Sequence, residues 1–268
     1  MKSVMNSTKI RKKLNELKST FITMKEDEPQ KIDIKKSELF ENETRNNMVK
    51  WLSFLCDTLN FNSQTLYRTV TIFDEFISIS DPLENDDLNQ EKMNLITIGC
   101  LSLATKLEEI NCNYVKFFTD KVINLPDCQI FSVKDLTNME MTILKNLKFK
   151  TLYTTSYDSL IYYLNLTEYL FNFPKFLLEN IKNYALFLMK QNINTNLYLS
   201  MCQSDFAFFC LQQAFIQTVQ NDIMKQVQNL LVNDDLARIK RDEINNKDNK
   251  EKIFNRNSEE NFFSLASF

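Results

Sequence analysis

From residue 43 onward the chain is written in apolar steps of three and four. In "ETRNNMVKWLSFLCDTLN" the side chains of Met48, Trp51, Leu52, Leu55 and Leu59 share one stripe, the mark of a helix with a single buried face. "SQTLYRTVTIFDEFISI" repeats the pattern through Leu66, Val70, Phe73 and Ile77, and the polar loop "SDPLENDDLNQE" follows it. Residues 92–109 are apolar almost all round, which a helix tolerates only when neighbours cover every side, so this third helix is expected at the centre of a bundle. Gly99 in its middle costs about 1 kcal/mol against alanine, and close approach by a crossing helix is the expected structural return. A short segment around "NYVKFFTD" and a loop with Pro126 come next. "SVKDLTNMEMTILKNLKF" then opens on Ser132 with Asp135 three residues on, a capping-box signature, and directs Val133, Leu136, Met139, Ile143, Leu144 and Leu147 inward.

After "KFKTLYTT" a second series of similar count begins with "SYDSLIYYLNL" and "FPKFLLENIKNYALFLMKQ", the latter with Pro174 at a helix start. "MCQSDFAFFCLQQAFIQTV", the most apolar of this set, "NDIMKQVQNLLV" and "DDLARIKRDEI" complete it. The expected architecture is all-α, two tandem five-helix bundles with an N-terminal helical arm. Residues 1–40 form the arm, with a helix over about 9–24. Residues 41–150 form the first bundle and 151–245 the second, while 246–268 are a polar, Asn-rich tail.

Composition supports the class and narrows the chemistry. One glycine and four prolines are too few for the turns of a sheet protein of 268 residues. With no histidine the commonest general base and metal ligand is missing, and a single glycine cannot build a phosphate-cradling loop, so no catalysis, metal site or cofactor is expected. The six cysteines fall at no metal-ligand spacing, and buried free thiols are expected of most of them. The formal charge of −3, with acids and bases interleaved, gives no electrostatic footprint for nucleic acid. No apolar run approaches the roughly 20 residues that span a bilayer, so a soluble, intracellular protein is expected.

One residue does not fit its surroundings: Lys106 sits inside "LSLATKLEEI", in the otherwise apolar third helix. One account is that its methylenes lie along the core while the ammonium reaches water. The other comes from a likeness. "RNNMVKWL" with Arg45 and Trp51, "IFDEFIS" with Asp74, Leu95, "LATKLEE" with Lys106 and Glu109, and "NMEMTILKNLKF" with Glu140 stand in the order and at the spacing of the cyclin box. Over about residues 40–150 the chain resembles the cyclin family, closest to cell-cycle cyclins of the mitotic kind; beyond that the likeness is architectural.

The resemblance implies a regulatory subunit, not an enzyme, that binds and activates a cyclin-dependent serine/threonine protein kinase in the cell cycle, in nucleus and cytoplasm. An alternative is a cyclin-fold interaction module without kinase activation, of the transcription-factor or scaffold type. By the family parallel Lys106 and Glu140 form a pair at the kinase interface, with the third and fifth helices side by side, and Leu103, Leu107, Leu144 and Phe149 supply apolar contact around it. Arg45 and Asp74 are expected to pair inside the bundle, a structural role. Met48, Trp51 and Asn94 match part of a groove that recruits Arg-x-Leu peptides of substrates and inhibitors. Phe54 replaces the acid of that groove, and Thr44 and Asn47 replace its Met and aliphatic residue, so docking of basic peptides there is weakened.

Overall fold

The computed structural model describes residues 2–29, 43–79, 90–109, 132–171 and 173–221, and among these every regular element is helical. The elements are α1 (Lys2–Glu26), α2 (Thr44–Thr58), α3 (Ser63–Ile79), α4 (Gln90–Glu108), α5 (Val133–Asn146), α6 (Ser156–Phe171), α7 (Lys175–Asn192) and the short α8 (Asn196–Ser200). A further helix, α9, runs through residues 203–221. Helices α1 to α8, and α9 as far as Thr218, belong to one compact unit, Met1–Thr218; Val219–Phe268 form a second. The short segment expected around 113–120, the helices expected beyond 221 and the tail at 246–268 lie outside the described residues.

As its sequence demands, α4 is enclosed, buried without a break from Ile96 to Thr105 and packed against α2, α3 and α5. Gly99 is what lets α5 in. A Cβ at that position would lie 2.9 Å from Ile143 Cδ1 and 3.1 Å from Met139 Cγ, closer than side chains normally approach. The capping box at the start of α5 is present: Asp135 N–H donates to Ser132 Oγ at 3.2 Å, and Ser132 N–H donates to Asp135 Oδ2 at 2.9 Å.

The second helix departs from its expected single apolar face. Every residue of α3 from Thr65 to Ile77 is buried, because α2, α4 and α5 cover it and α6 packs on it as well. Its threonines bear this by turning back on their own helix: Thr69 Oγ1 donates to the Thr65 carbonyl at 2.7 Å and Thr71 Oγ1 to the Tyr67 carbonyl at 2.8 Å. A threonine so satisfied packs as a small branched apolar residue.

With almost no glycine to end helices, other residues take the left-handed cap. Asn60 (φ 55°) closes α2, Phe61 N–H reaching the Cys56 carbonyl at 2.9 Å and Asn60 N–H the Asp57 carbonyl at 3.2 Å. Lys148 (φ 50°) closes α5 in the same Schellman pattern, Phe149 N–H to the Leu144 carbonyl at 2.7 Å and Lys148 N–H to the Lys145 carbonyl at 3.1 Å. Phe149 itself is also left-handed (φ 61°), a conformation that costs a residue with a Cβ about 1 kcal/mol or more.

The arm is a longer helix than expected, and its C-terminal half is anchored on the second half of the unit. Tyr162 Oη donates to the Leu17 carbonyl at 2.9 Å and stacks with Phe21 at 5.6 Å between ring centroids. Beyond the helix, Glu28 accepts the Ser204 N–H at the start of α9, a carboxylate where a helix N-terminus favours one. Cys56, Cys100 and Cys210 are buried free thiols and Cys202 is half-buried, while Cys112 and Cys128 lie outside the described residues. Burial pushes Cys56 and Cys210 each up to about 12.

Glu75 is the least comfortable acid of α3. It is buried beside Asp74, and burial first, then that neighbouring charge, pushes its carboxyl from 4.5 up to about 7 against the opposing hydrogen bond from Tyr153 and the charge of Lys150. The folded chain therefore holds a proton that the unfolded chain has already lost between about pH 4.5 and pH 7, and stability falls as pH rises through that window. Glu75→Gln, which keeps an acceptor for Tyr153, should raise stability by about 1–2 kcal/mol at pH 8 after allowance for solvent screening, and change little at pH 4.5. Urea unfolding at the two pH values checks this.

Candidate functional site

The residues that α4 turns toward α5 set the site. Gly99, Ser102 and Lys106 follow one another at three and four residues, so they share a face, and that face meets Met139, Glu140 and Ile143 of α5. The absent side chain at 99 brings the helices close, and two turns farther on Lys106 Nζ reaches Glu140 Oε1 at 2.5 Å. Ser102 Oγ donates to the same oxygen. The lysine side chain is 37 % exposed and the glutamate side chain 12 %, so the pair is a rim feature, closed on the glutamate side and open on the lysine side.

Of the apolar residues assigned around the pair, Leu107 is 42 % exposed and Phe149, lifted outward at its left-handed position, is 64 % exposed. Leu144 is half-buried against the core, and Leu103 is buried within the bundle. The structure thus gives Leu107 and Phe149 an outward face and puts Leu103 beneath the surface. Leu152, three residues past Phe149, is 66 % exposed and was not singled out in the sequence; its place in a short segment between two helices gave no periodic signal.

Two neighbours of Lys106 bind the fold together. Glu109 receives the Asn62 N–H at 2.8 Å, the Asn62 side-chain amide at 2.9 Å and the Thr65 hydroxyl at 2.6 Å, and so caps the start of α3. Glu108 takes Arg68 Nε at 2.6 Å, and the same guanidinium reaches the Tyr153 carbonyl and Asp158. This part-buried network ties α3 and α4 to the start of α6.

Arg45 and Asp74 pair as expected. Nε and Nη2 each meet a carboxylate oxygen at 2.7 Å, and both residues are almost wholly buried. The arginine does more than brace α2 against α3, because Nη1 also donates to the Ile193 carbonyl at 3.2 Å and the guanidinium lies 5.5 Å from the Tyr198 ring.

In the candidate docking groove Met48 is a buried core residue and Trp51 is half-buried against the core. Asn94 is half-buried and accepts from Gln90 Nε2 at 2.8 Å. Phe54 is 60 % exposed, an apolar side chain where the family's groove has an acid. Among the described residues no cluster of metal-ligating side chains is present, and no helix is long and apolar enough to cross a membrane.

Comparison with known proteins gives the family. Residues 16–152, just over half of the chain, match the family described as "Cyclin, N-terminal domain". Cyclin-D2-2 of Oryza sativa subsp. japonica is 29 % identical over 147 residues, 52 % of this chain and 37 % of that protein. Cyclin-A3-2 of Arabidopsis thaliana is 31 % identical over 103 residues, 38 % of this chain and 25 % of that protein. The chain therefore spans well under half the length of these curated relatives. A viral cyclin from herpesvirus saimiri shares the fold, with a TM-score of 0.54 at 19 % identity over 78 % of this chain and 82 % of the viral one. The chain belongs to the cyclin family.

Proposed function

We propose that this cyclin is a regulatory subunit that binds a cyclin-dependent serine/threonine protein kinase and switches it on, with a role in the cell cycle. The observation that carries the reading is the Lys106–Glu140 pair, an ion pair set at the rim of the α4–α5 contact beside the exposed Leu107. An apolar surface edged by a half-open charge pair suits a protein partner. The apolar area supplies affinity and the pair supplies register. A kinase of this class becomes active when its mobile helix swings in, so that a glutamate there pairs with the catalytic lysine and the activation loop opens. A subunit that binds only that arrangement shifts the population toward it and performs no chemistry of its own.

The reading assigns residues 1–40 to an arm, 41–150 to the N-terminal cyclin box and 151–245 to a second cyclin-fold domain, two five-helix sets in tandem, and it puts the protein in nucleus and cytoplasm. Leu103 contributes from below the contact surface and Leu144 from its edge. The groove at Trp51 and Asn94 takes a peptide whose flanking residue is apolar rather than basic, since Phe54 offers it no charge.

The test is reconstitution. The purified chain is mixed with purified cyclin-dependent kinase catalytic subunits, and histone phosphorylation is measured. At least one subunit is expected to form a stoichiometric complex on gel filtration and to gain orders of magnitude in activity; complexes without activation would favour a scaffold role instead.

A further inference from the structure

We propose that Ser102 is the positioning residue of the interface: its hydroxyl pins one oxygen of Glu140, so that the other faces the partner as a ready acceptor for a backbone N–H. The inference rests on the kinase-binding reading above and goes beyond it in giving a role to a residue that the sequence left unremarked.

Three hydroxyls of α4 are buried. Thr97 Oγ1 donates to the Met93 carbonyl at 2.7 Å and Thr105 Oγ1 to the Leu101 carbonyl at 2.6 Å, each satisfied four residues back on its own helix. Ser102, 2 % exposed, has the same outlet within reach yet crosses to α5 and donates to Glu140 Oε1. Burial alone does not require that choice.

Its consequence falls on the carboxylate. Lys106 Nζ also binds Oε1, at 2.5 Å, and Oε2 has no hydrogen-bond partner among the described residues. Lysine is a point charge on a four-carbon stem and by itself sets a distance rather than an orientation. A serine hydroxyl on a one-carbon stem, held in the middle of a buried helix, adds the second fixed direction. Two donors on one oxygen hold the carboxylate plane and leave Oε2 available, and this preorganisation lowers the ordering cost that association would otherwise meet. The ammonium, with three donors and only one engaged here, keeps two for carbonyl oxygens of the partner.

The experiment measures the dissociation constant for the kinase subunit identified by reconstitution, together with maximal stimulated activity at saturating cyclin. Ser102→Ala is expected to bind about tenfold more weakly, the scale of one hydrogen bond to a charged group, with maximal stimulated activity unchanged. Ser102→Thr, which restores the hydroxyl in a helix that already accommodates threonine at 97 and 105, is expected within threefold of the parent. In a Glu140→Gln background the serine substitution should cost less than twofold, since it acts through the carboxylate. Ser102→Ala that lowers thermal stability but binds like the parent, or a loss in Ser102→Ala that is unchanged in the Glu140→Gln background, overturns the positioning role alone. A parent chain that binds no kinase overturns the reading beneath it.

Discussion

Lys106→Glu combined with Glu140→Ala is expected to give a folded protein that no longer co-purifies with a cyclin-dependent kinase. The two substitutions are made together for a physical reason. Lys106→Glu alone sets two carboxylates face to face at a site where Glu140 now meets an ammonium at 2.5 Å, and the repulsion would disturb α4 and α5. Glu140→Ala removes the partly buried member, and the new carboxylate at 106 takes up the open position of a side chain already 37 % exposed. What is lost from the monomer is a rim ion pair and the bond from Ser102, in all about 1–2 kcal/mol. What is lost from the complex is larger. In the proposed complex an anion would stand where an ammonium is offered to the partner's carbonyl groups, and an apolar methyl where a carboxylate is offered to its N–H groups, each leaving polar groups of the partner covered and unpaired. More than a hundredfold weakening is expected, with the circular-dichroism melting temperature within a few degrees of the parent. Retained binding and activation in such a variant would remove the α4–α5 rim from the interface.

The positions that carry this site differ in how far their letters reveal them. Helix stripes were legible because packing one face on a core selects apolar residues at fixed steps. Gly99 was legible because a helix interior keeps glycine only for a reason, here the approach of Ile143 and Met139. Lys106 stood out as a charge in an apolar run, but its partner 34 positions away came from likeness to a family and not from any local signal. Ser102, Thr69 and Thr71 could not be sorted beforehand. A hydroxyl in a helix is read as polar, yet two of these are turned on their own backbone and the third crosses to another helix, a difference set by the neighbour's position and not by the residue. Glu109 matches a family motif, whereas its work is to cap α3 from across the bundle. The docked end of α1 was illegible for a related reason, since a single aromatic, Phe21, stacks on Tyr162 and no stripe is needed.

Arg45→Met is expected to be the most destabilising single change in the first bundle, at about 3–5 kcal/mol in urea unfolding. The size follows from what remains. Asp74, 3 % exposed, would keep its carboxylate with both strong donors gone. Burial is the larger influence on that carboxyl and pushes it up, and Arg45 opposes it. With the arginine absent only the upward push is left, so the folded chain gains a proton to stay intact. The cost should be greatest at high pH and shrink in acid as the proton becomes available. Replacing both partners, Arg45→Met with Asp74→Leu, leaves no buried charge and should recover most of the loss, because a well-packed apolar pair is often no worse than a buried ion pair. It should not recover all of it. Arg45 Nη1 also serves the Ile193 carbonyl, and its cation faces the Tyr198 ring, and neither contact is restored by leucine at 74. A residue of about 1 kcal/mol in the double variant is therefore the contribution of the arginine to holding the turn after α7 against α2. A double variant as unstable as Arg45→Met alone would mean that lost packing, and not an orphaned carboxylate, sets the cost.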